Sequence, residues 1–408
     1  MKFPKLKSIF YSALFACSIA FLTALFCQLF SAGLELATDV RKQNTFYPFL
    51  AMPFVGSLIY WIYQKWTPAF LKGNNLVLDE IKQDASSKKQ SQINILLVPL
   101  ITIAAWCSHF VGASVGREGV GAQIGAAISD FHSKLKLKDV PSRKDLLRMG
   151  VSAGFTAIFN TPFSGGMFGV EFSKFGDFSF RPLFLCFATS LLTYFFKLMF
   201  FGFHYEGRGI YINHFFTFYD FVALVLMGIM FGLCSRAFIW MMHGLKNLFQ
   251  AHVRIAYLRP FVGGCLLTGL YFLVGSDRYH GLGQEIVNLS FIEAMKPWDF
   301  LLKMLTTTLS ISAGFLGGEV MSLFYIGATL GNVLSPLTSF SFSLASALGF
   351  VSVFAGALNT PFTAIFLTLE LFHAEVLPFA LFPIFLSYLF SGNKTLFASQ
   401  ESYWEKPF

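Results

Sequence analysis

Apolar stretches long enough, or nearly so, to cross a bilayer recur from end to end of this 408-residue chain. A helical span needs about 20 predominantly apolar residues. Such runs cover residues 8–36, 46–66, 95–111, 182–203, 215–242, 261–274 and almost everything from 305 to 390. Charged residues are 13% of the chain, against roughly 25% in soluble domains. The sequence therefore predicts an all-α, polytopic protein of the cell membrane. The first run is longer than a signal-peptide core and has no small-residue cleavage site, so a retained helix is expected. The net charge of +8 lies mostly in loops. The positive-inside rule accounts for it, and no nucleic-acid partner is needed.

The remaining chemistry-bearing residue types point away from catalysis. Cys17, Cys27, Cys107, Cys186, Cys234 and Cys265 all fall within or beside apolar runs, without metal-ligand spacing. They read as packing or lipid-facing residues. The sequence shows no nucleophile–base pair, so neither an enzyme nor a bound cofactor or metal is expected. Phe187, Phe195, Phe196, Phe200 and Phe201 read as lipid or core contacts. His109 and His204 are isolated and read as packing residues, with a proton relay as the alternative for His109.

Charge placement sets the topology. Lys2, Lys5 and Lys7 precede the first run, which predicts a cytoplasmic N-terminus. Lys82, Lys88 and Lys89 follow the second run, and Lys134, Lys136, Lys138, Arg143, Lys144 and Arg148 form a further basic loop. Both loops belong on the cytoplasmic side, so residues 93–129 must enter the membrane and return. At about 1.5 Å per residue they are too short for two full spans. One longer and one shorter helix are expected to meet within the membrane at Gly116-Arg117-Glu118-Gly119. Broken backbone survives there only inside protein or facing an aqueous cavity.

The chain also repeats itself. AIFNTPFSGGMFGVEF at 157–172 resembles GALNTPFTAIFLTLEL at 356–371, with Asn160 and Asn359, and Glu171 and Glu370, each 199 residues apart. IGAA at 124–127 parallels IGAT at 326–329, 202 residues on. Two transmembrane repeats, 1–205 and 206–408, are expected to place a binding site at their interface near the midplane. The chain ends soon after its last apolar run, so no soluble regulatory domain is expected.

Three polar or glycine-rich breaks interrupt the apolar runs: KGNNLVLDEI at 72–81, GREGVGAQIG at 116–125 and SAGFLGGEVMSLFYIGATLGN at 312–332. Each reads as a loop opening a helix, and a helix start offers unpaired N–H donors and a positive dipole end. Several converging starts hold an anion without the full charge that would prevent its release. Glu118 can compete with such an anion for the donors, and protonation releases it. Intramembrane acids are functional candidates by default, with a structural ion pair to Arg117 as the alternative for Glu118. Glu319 is expected in the same surroundings in the second repeat, without a basic neighbour, with a buried structural acid as the alternative. Arg117 reads as structural, holding carbonyls around the turn. Glu171 and Glu370 follow the NTPF turns symmetrically, which suits structural capping.

GREG with a glutamine four positions on, a downstream GG break and an NTPF-type turn, in that order over most of the chain, resemble the CLC family of chloride channels and anion/proton antiporters. The resemblance implies a homodimer, each subunit with its own pathway between two inverted-topology repeats with re-entrant half-helices. It places the gating glutamate at Glu118, with Val120 at the family's proline, and the backbone donors of the third motif at Glu319, Val320 and Met321. Asn74 and Val77 stand where chloride-type members carry serine and proline, and Phe172 where exchangers carry an internal proton-transfer glutamate. GNNL-x-x-DEI, GREG and GGEV-x-x-LF-x-IGATLGN together resemble the fluoride/proton antiporter branch. Leu316, Met321 and Ser322 depart from that branch, and in SGNKTLF the family's tyrosine becomes Phe397. The implied anion contacts fall on Asn74, Gly119, Val320, Met321 and the electropositive ring edge of Phe397. The expected activity is fluoride export in exchange for inward protons. The alternatives are a chloride or nitrate transporter, a passive chloride channel of the same family, and a transport-dead scaffold. An intact Glu118 and intact breaks argue against the last.

Overall fold

A backbone can stay helical in hydrocarbon only if its own hydrogen bonds close, and this chain meets that demand with helices almost throughout. The computed structural model describes all residues except 1–5, 45, 84–90, 136–139, 177, 203–208, 211–215, 403–404 and 408. Lys2, Lys5, Lys88, Lys89, Lys136, Lys138, His204 and the expected repeat boundary at 205/206 lie outside the described residues. The first half contains α1 (Leu6–Gln43), α2 (Tyr47–Trp66), α3 (Asn74–Lys82), α4 (Leu97–Phe110), α5 (Glu118–Ser133), α6 (Arg143–Phe159), α7 (Pro162–Glu171) and α8 (Phe180–Phe201). The second contains α9 (Phe218–His252), α10 (Arg259–Val274), α11 (Gln284–Ser290), α12 (Asp299–Ala313), α13 (Val320–Leu334), α14 (Phe342–Leu358), α15 (Pro361–Phe372) and α16 (Leu377–Phe390). Strands β1 (Lys174–Phe175) and β2 (Glu401–Ser402) form one short parallel pair.

Among the described residues the eight-helix order repeats, and so do its local causes. Asn160 ends α6 and Asn359 ends α14 in left-handed conformation (φ 59° and 56°), and Pro162 and Pro361 each start the next helix. Small residues let α5 lie on α6: a Cβ on Gly125 would sit 1.9 Å from the Gly150 carbonyl. The second half repeats the device between α13 and α14, where a Cβ on Gly327 would lie 2.2 Å from the Gly349 carbonyl. Glycine contacts of this kind bring helix backbones together where lipid supplies no hydrophobic drive. Aromatic pairs close the seam between halves, Phe155 with Phe354 at 6.4 Å and Phe159 with Phe324 at 5.4 Å.

The segment returning through the membrane differs in one respect from expectation. Its helices α4 and α5 have 14 and 16 residues rather than one long and one short. Neither reaches the ~30 Å of a hydrocarbon core at 1.5 Å per residue. The break comes at residues 111–117 because Gly112 adopts φ 85°, closed to most side chains. Phe49 packs where a Cβ on Gly112 would stand, at 2.5 Å.

Candidate functional site

The α5 and α13 starts meet head to head. Gly116 N–H donates to the Gly318 carbonyl at 2.5 Å and Gly318 N–H donates to the Gly116 carbonyl at 2.7 Å. Two breaks from opposite halves are thereby joined by a two-way backbone bridge. Only glycine allows the approach, since a Cβ on Gly318 would lie 2.7 Å from the Gly119 nitrogen. The third break arrives through α3, whose first residue, Asn74, is buried with its amide against Gly119. A Cβ on Gly119 would stand 2.6 Å from Asn74 Nδ2. All three sequence breaks therefore converge.

Glu118 lies at this junction, 2% exposed. Its Oε2 accepts from Met321 N–H at 3.1 Å, at the start of α13, and from Arg117 N–H at 3.1 Å. The carboxylate thus occupies donors on both halves at once. Its Oε1 accepts no hydrogen bond among the described residues and faces Arg117 Nε at 3.8 Å. Arg117 is half of a buried ion contact. The guanidinium side also borders two cavities, of about 630 Å³ and 60 Å³.

Glu319 is not the repeat-mate of Glu118. The bridge aligns Gly116 with Gly318, 202 residues apart, which sets Arg117 against Glu319 and Glu118 against Val320. Backbone angles agree: Arg117 (φ −103°, ψ −22°) and Glu319 (φ −105°, ψ −22°) are the residues preceding their helices. Side chains one position apart on a helix point about 100° apart. Glu319 accordingly faces a different cavity, of about 200 Å³, shared with Asn74, Gln123, Lys246 and Phe397. Glu319 Oε2 and Asn74 Oδ1 are both buried and have no hydrogen-bond partner among the described residues.

The other candidates fall as follows. Val320 and Met321 form the first turn of α13 and are buried. Phe397 is buried at the rim of the 200 Å³ cavity, its ring edge-on to Phe172 with centroids 5.6 Å apart. Glu171 and Glu370 lie away from the bridge and cap each other's helices. Glu171 accepts from Phe362 N–H (3.0 Å) and Thr363 N–H (2.6 Å) at the start of α15. Glu370 accepts from Phe163 N–H and Ser164 N–H (2.8 Å each) at the start of α7. His109 is buried in α4. Gln123, which sequence reading used only as part of a motif, donates to the Gly119 carbonyl at 3.1 Å and braces the turn. Buried Lys303 and Lys406 were not anticipated, because lone lysines among aromatics look like loop charges in a sequence.

Fold and site together define a class: a multi-pass helical membrane protein of two inverted repeats, with helix starts converging on a buried acid flanked by cavities. The chain belongs to the voltage gated chloride channel family, whose description matches residues 55–392. It is 34% identical over 397 residues, 94% of this chain and 84% of the other, to a chloride/fluoride channel protein of Pseudomonas syringae pv. tomato (strain ATCC BAA-871 / DC3000). Among solved structures it is similar to a CLC-type fluoride/proton antiporter, with a TM-score of 0.91 and 27% identity over 98% of this chain and 99% of that one. It also shares the fold of a slow cyanobacterial Cl⁻/H⁺ antiporter, with a TM-score of 0.80 and 16% identity over 95% and 96% of the two chains.

Proposed function

We propose that this protein is a secondary-active antiporter that exports fluoride in exchange for inward protons. One observation carries the reading: Glu118 Oε2 sits on the Met321 N–H, across the junction of the two repeats. A carboxylate there is chemically a stand-in for a small anion, holding charge-assisted bonds that an anion would hold. Protonation removes its charge and frees the donors for fluoride. Deprotonation returns it and expels the anion. Transport by mutual exclusion follows, with Gly119, Val320, Met321 and the Asn74 amide as the donors fluoride uses. The ring edge of Phe397 adds a positive contact.

The cavities give the exchange its two sides. The 630 Å³ cavity is lined by Glu35, Thr38 and Arg41, near the far end of α1, and by Arg117. The 200 Å³ cavity includes Leu71, Lys72 and Gly73, where the chain has come back through α2. With the basic N-terminus in the cytoplasm, the second is the cytoplasmic vestibule. Glu319 there passes protons between Glu118 and the cytoplasm. Its place in the cavity, distinct from that of Glu118, suits a relay better than a second gate. Homodimeric assembly in the cell membrane and a transporting rather than enzymatic role complete the reading, supported by the family resemblance.

The similarity to a fluoride/proton antiporter over nearly the whole chain favours fluoride. The chloride-transporting relative at 16% identity supports the fold alone. An electrode measurement of fluoride and chloride efflux from reconstituted vesicles, with and without a proton gradient, separates the two anions. In the same vesicles Glu118→Gln is expected to abolish proton-coupled fluoride flux. Unaltered coupled flux in that variant refutes the mechanism.

A further inference from the structure

Phe397 does not belong to any helix of the repeats. It rides on a strap that follows α16, described over residues 391–402 and 405–407, whose Leu396, Phe397 and Ala398 line the 200 Å³ cavity. Its anchors are spread along its length. Ser399 N–H donates to Asn75 Oδ1 at 3.0 Å and its hydroxyl to Asp79 Oδ1 at 2.6 Å, both on α3 beside Asn74. Gln400 Nε2 donates to the Leu358 carbonyl at 2.7 Å. Glu401 bridges Lys82 (3.0 Å) and Lys174 (3.7 Å).

The far end is held differently. Lys406 is 7% exposed, and among the described residues no carboxylate pairs with it. Its ammonium donates to Asn359 Oδ1 at 2.5 Å and Ser391 Oγ at 2.7 Å, and lies 4.2 Å from the centroid of the Tyr388 ring. Asn393 bonds the Lys406 backbone twice, at 2.7 and 3.1 Å. A buried cation without a counter-charge is expensive, so a merely packed position would be filled more cheaply by an apolar side chain. Here the cation ties the strap's end to its own beginning at Ser391 and to the left-handed Asn359 that ends α14. The segment bearing Phe397 becomes a closed loop.

We propose that Lys406 is a positioning residue that closes this loop and thereby sets the Phe397 ring at the anion path. The inference rests on the transport reading above, and wild-type flux controls for that reading separately. Fluoride efflux from proteoliposomes is measured against internal fluoride concentration for wild type, Lys406→Met, Lys406→Arg and Asn393→Ala. Lys406→Met is expected to raise the half-saturating concentration on the order of tenfold, as misplacement of a binding group does, with the maximal rate within about twofold. Lys406→Arg restores most of the affinity. Asn393→Ala shifts it the same way by a smaller factor, and serves if Lys406→Met does not assemble. In a Phe397→Ala background, Lys406→Met adds no further loss. Half-saturation unmoved in the assembled Met and Asn393→Ala variants, or fully additive losses with Phe397→Ala, overturns the proposal, while a wild type that carries no fluoride overturns the transport reading instead.

Discussion

The turns opening α5 and α13 share one backbone and differ in what they carry. Gly116 and Gly318 bond each other in both directions, and the residues that follow, Arg117 and Glu319, have nearly the same φ and ψ. From there the copies diverge. Arg117 borders the 630 Å³ cavity and Glu319 the 200 Å³ cavity, so the repeat puts a cation on one approach and an acid on the other. The next pair is Glu118 and Val320, so only the first-half turn carries an acid at that position. Glu171 and Glu370 teach the converse. They are identical in both copies, and each bonds the start of the other's helix. Where the repeats agree, the contact is a fastening. Where they disagree, a symmetric frame acquires direction, which an exporter needs.

The largest effect expected from breaking this comparison is at the central pair. Glu118→Val gives the first turn the apolar residue of the second and leaves that position without an acid. Fluoride-driven proton movement should vanish entirely, read as pH change in lightly buffered vesicles. Persisting proton movement would mean that the side-facing Glu319 can gate alone. Next comes Gly318→Ala, whose Cβ meets Gly119 backbone at 2.7 Å, against Gly116→Ala, whose nearest neighbour at 2.7 Å is the movable Glu118 carboxylate. Displacing backbone donors by about 1 Å can cost on the order of a hundredfold in rate. Gly318→Ala should therefore reduce fluoride flux more than Gly116→Ala, and equal losses would show that the bridge is not the rigid element.

Much of this was legible in the sequence for physical reasons. Bilayer thickness fixes span length, so the apolar runs and the short returning segment announced themselves. Glycines beside charges marked all three breaks, because only a buried, water-lined turn tolerates them. The symmetric placement of Glu171 and Glu370 also foretold their capping. Register was legible only indirectly. Glu118 and Glu319 look equivalent in GREG and GGEV, although the 202-residue spacing of IGAA and IGAT, which the Gly116–Gly318 bridge repeats, sets them one residue apart. The strap was hidden as well, because Lys406 and Phe397 meet the core through contacts at the ends of three helices that leave no periodic trace.

A smaller effect is expected at Glu319. If it relays protons from the cavity side, Glu319→Gln should slow coupled exchange several-fold while the anion still binds, since Met321 N–H and the α13 start are untouched. Fluoride binding measured by calorimetry should stay within about threefold of wild type, a shift below 1 kcal/mol. A loss of binding as complete as that in Glu118→Val would restore the view of the two acids as twins.

The smallest consequence for transport is expected where the repeats agree. Glu171→Gln and Glu370→Gln keep the shape of each cap but exchange charge-assisted bonds for neutral ones, roughly half as strong. Each should destabilise the protein by about 1–2 kcal/mol, given that bonds to charged groups contribute about 1.5–3 kcal/mol. Glu171 is fully buried, whereas Glu370 is only partly so, so the first loss should be the larger. Thermal unfolding in detergent reads the difference, and the proton-to-fluoride ratio should not move in either variant. A changed ratio in Glu171→Gln, with the fold intact, would place an acid of the symmetric pair on the proton route and break the division between fastening and pathway.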